Sequence, residues 1–218
     1  MAEKRAGLPY VWVTWLTKLL TGEASCEWAG WFQAQHDRKT WTAVPDDFDA
    51  TTWQIEHTAA RNKYQAMLED EGFDVSTESQ NSFHLKGRTA TVGGKPDLIA
   101  VKGSRGLIAD IKTGQPRTSD HVQVMLYMYA VPKAFPARYK EVVFEGRVVY
   151  GEREVPVPSS AVDGKFIERF AELIGRLASN KPARKVPSYG ECGFCRIPVS
   201  ECPERADSDT PAAEVDDF

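Results

Sequence analysis

Two short apolar runs, joined by a polar turn that contains two glycines, constrain this chain more than any other feature. The first run is Asp97–Val101, and the second is Gly106–Ile111, which carries Asp110 near its end. Apolar runs of this length, bounded by turn residues, are typical of buried β-strands. The turn Lys102–Gly106 suits a hairpin loop. The sequence therefore predicts an antiparallel hairpin that brings two aspartates to one edge of a sheet.

Lys112 follows Asp110 by two residues. Side chains alternate along a strand, so we expect the lysine to share a face with Asp110 while Ile111 points into the core. Carboxylates bind hard divalent cations such as Mg²⁺, and an ammonium nearby can stabilise the charge that develops when a phosphoryl group is attacked. Asp-x-Lys is nevertheless a common tripeptide, and by itself it more often marks an ordinary hairpin with exposed charges.

An upstream segment, Thr52–Leu68, offers a further metal ligand. Its apolar residues recur at helical spacing, which predicts a helix with one apolar stripe. The stripe consists of Trp53, Ala60, Tyr64, Met67 and Leu68. His57 lies on the flank of the stripe, where a histidine is more often a hydrogen-bonded structural residue than a ligand. Glu56 is the competing candidate.

The segment Ser119–Val131 is apolar on most sides, which predicts a helix buried against the sheet, with Thr118 or Ser119 as its N-terminal cap. Gln123 and Tyr127 are four residues apart and share one face of this helix. Core packing explains such a pair as readily as a functional role does.

The remaining patterns indicate a mixed α/β chain. They predict a strand pair over 73–86 broken near Gln80–Asn81, a strand at 89–92 leading into the Asp97 strand, a hairpin of 141–150 with 152–157, an amphipathic helix at 165–178, and an N-terminal helix that begins near Thr14 and packs Trp15, Leu16 and Leu19 inward. Phosphate-cradling glycine loops are not apparent, so we do not expect nucleotide hydrolysis.

Four cysteines are distributed unevenly: Cys192, Cys195 and Cys202 are close in sequence, whereas Cys26 is far away. They could form two disulfides, a zinc site, an iron–sulfur cluster or unrelated thiols. A zinc ribbon normally offers two close pairs, and Cys26 has no nearby partner. Thiolates alone can hold a [4Fe–4S] cluster, and Cys202-Pro203 matches the cysteine–proline ending of some cluster-binding runs.

Taken in order, these motifs resemble a known family. His57, Gly94-x-x-Asp97, Asp110-Ile-Lys112 and Gln123-x-x-x-Tyr127 resemble the successive motifs of RecB-type nucleases in the PD-(D/E)XK superfamily. The cysteine arrangement is similar to that of the AddB nuclease domain and of the fourth CRISPR-associated protein family, a RecB-like exonuclease. The resemblance covers about residues 10 to 205, and the second acid is aspartate rather than glutamate.

The resemblance implies an α/β fold with a restriction-endonuclease-like core, in which helices flank a mixed central sheet. One nuclease domain would span residues 1–205. Its N- and C-terminal segments would be joined by a [4Fe–4S] cluster, with Zn²⁺ as the alternative. The implied cluster ligands are Cys26, Cys192, Cys195 and Cys202.

The same resemblance implies a Mg²⁺- or Mn²⁺-dependent exonuclease that acts on single-stranded DNA or on duplex ends. Its implied settings are CRISPR spacer acquisition and phage or host recombination and repair, with CRISPR integration or recombination proteins as possible partners. The implied metal ligands are His57, Asp97, Asp110 and the carbonyl of Ile111; Lys112 would assist catalysis, with Gln123 and Tyr127 beside it. The rival interpretations are a non-catalytic or partner-activated iron–sulfur DNA-binding subunit and a zinc-stabilised endonuclease.

The charge distribution is compatible with DNA as a partner. The net charge is −4, but residues 204–218 contribute −5, and residues 1–203 sum to +1. The acidic segment 206–218 is predicted to be disordered because it is poor in large apolar residues. Six tryptophans could stack on unpaired bases, although Trp12 with Trp15 and Trp28 with Trp31 are spaced to pack on buried helix faces.

The N-terminus contains an apolar stretch, Leu8–Leu20, that superficially resembles a secretory signal. Thr17 and Lys18 interrupt it, so we do not expect export. The sequence has no apolar run of transmembrane length. A chain of 218 residues with 42% hydrophobic residues can bury a sizeable core, so it does not need disulfides for stability. We therefore expect a cytoplasmic protein without membrane association.

Overall fold

A computed structural model describes residues 1–206, and its strands form one five-stranded and one three-stranded sheet within that range. The predicted tail, 206–218, lies beyond the described residues except for Ala206. The strands are β1 Tyr10–Trp12, β2 Asp74–Thr77, β3 Phe83–Lys86, β4 Thr91–Gly94, β5 Leu98–Lys102, β6 Arg105–Lys112, β7 Val143–Tyr150 and β8 Arg153–Val157. The α-helices are α1 Val13–Thr21, α2 Glu27–Gln35, α3 Ala50–Asp70, α4 Glu78–Asn81, α5 Thr118–Ala134, α6 Pro136–Tyr139, α7 Gly164–Ala178 and α8 Tyr189–Gly193.

The larger sheet has the strand order β2-β5-β6-β7-β8. β5 and β6 form the predicted antiparallel hairpin, which closes at Lys102 opposite Arg105 with Gly103 in the left-handed region. β6 and β7 are parallel, so a crossover must connect them, and α5 lies in that connection. β7 and β8 form the predicted second hairpin around Gly151. This mixed sheet with flanking helices confirms the predicted α/β fold class.

The smaller sheet, ordered β1-β4-β3, corrects two expectations. The segment 73–86 is not a strand pair, because β2 belongs to the larger sheet and β3 to the smaller one. Between them, Thr77 and Gln80 form a capping box that starts the short helix α4 and turns the chain. β4 likewise does not continue into β5. Pro96 stands between the two strands, and its missing N–H cannot take part in a ladder.

Alternate residues of β5 and β6 pack into two apolar clusters. Leu98 and Ile111 belong to a cluster with Tyr64 and Leu68 of α3. Ile99 and Ile108 belong to a cluster that includes buried residues of α5, α1, α2 and α7. Because side chains alternate along a strand, each cluster lies on its own face of the hairpin. The sheet is therefore covered by α3 on one face and by α5 on the other.

The helices largely match their predicted positions, but in α3 part of the predicted apolar stripe is exposed. α7 spans Gly164–Ala178 and is capped by the carboxylate of Asp163, which accepts a hydrogen bond from Phe166 N at 2.7 Å. In α3, Tyr64 and Leu68 are buried as expected, whereas Trp53 and Met67 are exposed. The first seven residues of α3, 50–56, are all exposed, so this end of the helix is not covered by the sheet.

Two further expectations were wrong in detail. Neither Thr118 nor Ser119 is the N-cap of α5: the helix begins at Thr118, the N-cap is Arg117, and the Asp120 carboxylate accepts the Arg117 N–H. The Ser119 hydroxyl and N–H both donate to the Glu23 carboxylate, at 2.7 and 2.8 Å. Trp12 lies in strand β1 rather than on a helix, and Trp15 is only half-buried.

Among the described helices, none combines the length and the apolar character needed to cross a bilayer.

We predict that Gly146→Ala destabilises the fold, because α5 packs directly on β7 at this glycine. A β-carbon there would lie 2.2 Å from Val124 Cγ1 and 2.8 Å from Met128 Sδ. The free energy of unfolding should fall by about 1–3 kcal/mol in urea denaturation. Gly175→Ala is the matched control, since it has open space and lies inside α7, and it should raise stability by up to about 1 kcal/mol. Equal midpoints for the two variants would contradict this packing.

Candidate active site

Asp97 and Asp110 meet at the open end of the β5–β6 hairpin. Asp97 directly precedes β5, and Asp110 lies two residues before the end of β6. Leu98 pairs with Ala109 in this antiparallel hairpin. Asp97, the residue before Leu98, therefore lies opposite Asp110, the residue after Ala109. Both residues are buried, Asp110 more deeply than Asp97. The predicted meeting of the two acids at a sheet edge is present in the structure.

Asp97 is held by two groups on one oxygen. Its Oδ2 accepts the Ile111 N–H at 2.7 Å and lies 3.2 Å from Nε2 of His57. The N–H and C=O of one residue in an extended strand point to the same side, so the Ile111 carbonyl also faces Asp97. The side chain of Ile111 packs in the opposite direction, into the α3 cluster.

Lys112 and Gln123 form a network around Asp110. The Lys112 ammonium lies 2.8 Å from Oδ2 of Asp110 and donates to Oε1 of Gln123 at 3.0 Å. The amide nitrogen of Gln123 donates to Oδ1 of Asp110 at 2.9 Å and lies 3.3 Å from the hydroxyl of Tyr127. That hydroxyl is 3.4 Å from the Lys95 carbonyl oxygen. Gln123 and Tyr127 therefore share one helical face, as their spacing predicted, and that face lies beside the acids, as the resemblance implied.

Asp120 also belongs to this network, although no sequence pattern pointed to it. Its Oδ1 lies 3.7 Å from the Lys112 ammonium, and its Oδ2 accepts hydrogen bonds from the Tyr150 hydroxyl at 2.7 Å and from Arg117 N at 3.0 Å. An aspartate near the start of a helix is ordinarily explained as a cap. Only the packing of α5 on β6 and β7 shows that it also faces the lysine.

Glu78 is a second site residue that sequence reasoning missed. A ligand atom from each of His57, Glu78 and Asp97 lies within 4.8 Å of the other two, a spacing that could hold a metal ion. Arg61 and Lys95 hold the Glu78 carboxylate at 2.8 and 2.7 Å. Glu78 directly follows β2, whose last residue pairs with the first residue of β5. An acid after a strand is a weak signal, and the pairing of β2 with β5 is what places it beside Asp97.

The candidate ligands differ in position. His57 is buried at the site, whereas the competing Glu56 is exposed on α3. Asp110 stands outside the group of His57, Glu78 and Asp97, with its Oδ2 beside the lysine. Among the described residues, Nδ1 of His57 is buried without a hydrogen-bond partner, and Oε1 of Glu78 lies 4.0 Å from it. Buried polar atoms without partners are rare in folded proteins, so this nitrogen fits a site that gains a cation.

Burial and charge shift the protonation of these groups. Burial raises the pKa of Asp110 to about 7, against the opposing effect of the Lys112 ammonium. Burial alone would lower the pKa of Lys112, but the Asp110 and Asp120 carboxylates outweigh it and raise that pKa above its ordinary value. The hydrogen bond to Asp97 raises the pKa of His57. The carboxylates of Asp97, Asp110 and Asp120 thus all act on the single ammonium of Lys112. Their negative charge favours the binding of a further cation at this site.

The four cysteines line one cavity of about 800 Å³, whose lining does not include His57, Asp97, Asp110 or Lys112. Cys26 precedes α2, Cys192 lies in α8, and Cys195 and Cys202 follow it; all four are free thiols. Burial raises the pKa of Cys195 and Cys202, and the neighbouring cysteines act in the same direction. Among the described residues, the group spaced to hold a metal ion is His57 with Glu78 and Asp97, and it includes no cysteine.

Direct contacts also tie the two ends of the chain together at this cavity. The Glu191 carboxylate accepts hydrogen bonds from Ser25 N at 2.6 Å and from Cys26 N at 3.4 Å. The Trp28 N–H donates to the Arg184 carbonyl at 2.9 Å. The segments that carry the cysteines are therefore adjacent, as the sequence predicted, without a disulfide between them.

We predict that Lys112→Met destabilises the metal-free protein, because it leaves the buried Asp110 carboxylate without its cation. In EDTA at pH 8, urea denaturation should show a loss of about 3 kcal/mol. Combining it with Asp110→Asn should recover part of the loss, since the unpaired carboxylate is then absent. Lys63→Met is the control, because the Lys63–Glu152 pair is exposed and should contribute less than about 1 kcal/mol. Additive effects of the two site substitutions would contradict the coupling.

Comparison with known proteins identifies the superfamily of this chain. A model of the PD-(D/E)XK nuclease superfamily matches residues 13–200. A solved structure titled "Crystal structure of SSO0001" aligns with 14% sequence identity and a TM-score of 0.43, over 88% of this chain and 84% of that one. Among curated proteins, none matches the sequence. Since the superfamily match spans most of the chain and includes the acids, Lys112, Gln123 and Tyr127, this protein belongs to the PD-(D/E)XK nuclease superfamily.

Proposed function

We propose that this protein is a Mg²⁺- or Mn²⁺-dependent deoxyribonuclease that acts as an exonuclease on single-stranded DNA or on duplex ends. Membership of the superfamily implies metal-dependent nuclease activity. The observation that carries the proposal is the intact set of site groups. Asp97 and Asp110 lie opposite one another. Lys112 donates a hydrogen bond to Gln123, which belongs to α5, the helix that covers the site. A binding module that had lost catalysis would not need to keep all of these groups.

The metal would be held at the hairpin edge. The groups that face this edge are His57, Glu78, Asp97, Asp110 and the Ile111 carbonyl. Carboxylate and carbonyl oxygens suit Mg²⁺ and Mn²⁺, and a histidine nitrogen favours Mn²⁺ of the two. A divalent cation there would supply charge that polarises a phosphoryl oxygen and would lower the pKa of water.

Lys112 contributes a positive charge that the protein keeps in place. The Asp110 and Asp120 carboxylates keep the ammonium protonated, and Gln123 fixes its position through a 3.0 Å hydrogen bond. A preorganised ammonium can orient the attacking water or stabilise the charge that develops on the phosphoryl oxygens. Gln123 and Tyr127 are positioning residues in this scheme. Gln123 contacts both Lys112 and Asp110, and Tyr127 contacts Gln123.

We also propose that Cys26, Cys192, Cys195 and Cys202 bind a [4Fe–4S] cluster. All four cysteines line one cavity, and hydrogen bonds from Ser25 N and Cys26 N to Glu191 join the segments that carry them, which supports one shared inorganic unit. Thiolates are its usual ligands, so the raised pKa of Cys195 and Cys202 would be reversed by binding. The cluster would join both ends of the chain.

The biological setting follows from the cysteine resemblance. A RecB-like exonuclease with this arrangement would serve CRISPR spacer acquisition or phage or host recombination and repair, in the cytoplasm. Its partners would then be DNA and integration or recombination proteins. The same scaffold can serve several pathways, so these assignments depend on partners rather than on the fold.

We predict that Asp110→Asn and Lys112→Ala each lower DNA cleavage at least about 100-fold, because each removes a group that stabilises charge at the reacting phosphate. The measurement is digestion of end-labelled single- and double-stranded DNA by anaerobically purified protein with Mn²⁺, and the label reveals the polarity. Lys63→Met serves as the control, since this exposed lysine lies outside the site. If the wild type is as inactive as the variants while it binds DNA, the protein is a partner-activated or non-catalytic subunit.

We predict that the anaerobically purified protein contains iron and sulfide and absorbs in the sulfur-to-iron charge-transfer region. Cys202→Ser should lose this absorption and unfold at a lower temperature, because the cluster closes a very long loop. Lys112→Ala should keep the absorption, since Lys112 is not among the residues that line the cysteine cavity. Stoichiometric zinc without iron would instead identify a zinc-stabilised endonuclease.

A further inference from the structure

Two exposed aromatic rings continue from the active site to the surface. The Trp53 indole stacks on the His57 imidazole, with ring centroids 4.8 Å apart and an interplanar angle of 25°. The Phe48 ring lies beyond it, 6.0 Å from the indole. His57 is buried, whereas Trp53 is 38% exposed and Phe48 is 59% exposed. A single imidazole thus separates Trp53 from the Asp97 carboxylate.

Helix capping explains why the two rings touch, but not why they are exposed. Asp49 caps α3 by accepting a hydrogen bond from Thr52 N at 3.0 Å. Phe48 precedes the cap and Trp53 is the fourth residue of the helix, which is the spacing of a hydrophobic staple. The staple holds the rings in fixed positions. Their outer faces remain open to solvent directly beside a candidate metal ligand.

We propose that Phe48 and Trp53 form a stacking surface for an unpaired base of the DNA substrate, next to the nucleotide whose phosphate would lie at the metal site beside Asp97. This inference rests on the proposed nuclease function and adds its substrate class. Bases stack on exposed aromatic rings with little sequence preference. Inside a duplex, neighbouring base pairs cover the faces of each base. The surface therefore selects single-stranded DNA or a frayed end.

The charges around the surface assign it to bases rather than to phosphates. The acidic residues Asp46, Asp47 and Asp49 flank Phe48, and Asp46 pairs with Arg196 at 3.2 Å. On the other side of His57, Arg61 and Lys95 both pair with Glu78. The aromatic surface thus carries no excess of positive charge, and its contribution to binding should not depend on salt.

Binding of labelled oligothymidylate and of an abasic oligomer of the same length tests the proposal. Both carry the same backbone charge, but only the first has bases, and EDTA prevents cleavage. Phe48→Leu keeps an apolar residue in the staple and removes the ring. It should weaken oligothymidylate binding about tenfold, since stacking is worth roughly 1–3 kcal/mol per base and 1.4 kcal/mol is a factor of ten. It should leave binding of the abasic oligomer unchanged.

Two variants control for other effects. Phe48→Tyr keeps an aromatic ring and should bind like the wild type. Ile55→Ala removes an apolar side chain on α3 that is 66% exposed, and it should also bind like the wild type. The loss in Phe48→Leu should be the same at low and high salt, whereas loss of a phosphate contact would reduce the salt dependence.

Three outcomes would overturn the stacking surface. Equal losses on both oligomers would assign Phe48 to the backbone, and unchanged binding in Phe48→Leu would leave the patch for a protein partner. In either case, cleavage by the wild type and its loss in Asp110→Asn would keep the nuclease function intact. A folded wild type that neither binds nor cleaves DNA would overturn both proposals together.

Discussion

Burial of the Asp110 carboxylate beside the Lys112 ammonium is the interaction on which the rest of the site depends. Removing these charges from water is costly, so the pair needs close geometry and additional hydrogen bonds. Gln123 of α5 supplies them by contacting both groups at once. α5 also lies in the crossover between the parallel strands β6 and β7, which could not be joined by a short turn. The connection that completes the sheet thus also completes the site.

One face of the hairpin packs in an apolar cluster, and the other carries the charged residues of the site. Ile111 packs under α3, while Asp110 and Lys112 face α5. The backbone N–H of Ile111 nevertheless holds Asp97, and Asp97 in turn contacts His57 of α3. Residues from both helical layers therefore meet at one sheet edge. The N-terminal end of α3 is exposed beside this edge, and Trp53 lies on that end.

The cysteine cavity is a separate centre, built from the ends of the chain. α8 lies beside the start of α2. There the Glu191 carboxylate accepts hydrogen bonds from the backbone N–H groups of Ser25 and Cys26. Many residues separate these segments, so holding them together costs loop entropy. A bound cluster would offset that cost, since its binding free energy would contribute to folding. Stability and catalysis would then depend on different metal centres.

The sequence by itself determined the β5–β6 hairpin and the shared face of Asp110 and Lys112, because strand alternation and turn composition are local properties. The spacing of Gln123 and Tyr127 on one helical face was predictable for the same reason. Local patterns also located α3 and α7. They could not show that β2 and β3 belong to different sheets, since strand pairing is decided by contacts between distant segments.

Only the tertiary structure placed Glu78 beside Asp97 and Asp120 beside Lys112. Each position depends on which elements pack together: β2 against β5 for the first, and α5 against β6 for the second. It also decided that Trp53 is exposed, because helical periodicity defines a stripe but not where the sheet that covers it ends. The sequence thus determined the chemistry of the hairpin, and long-range packing decided which other groups surround it.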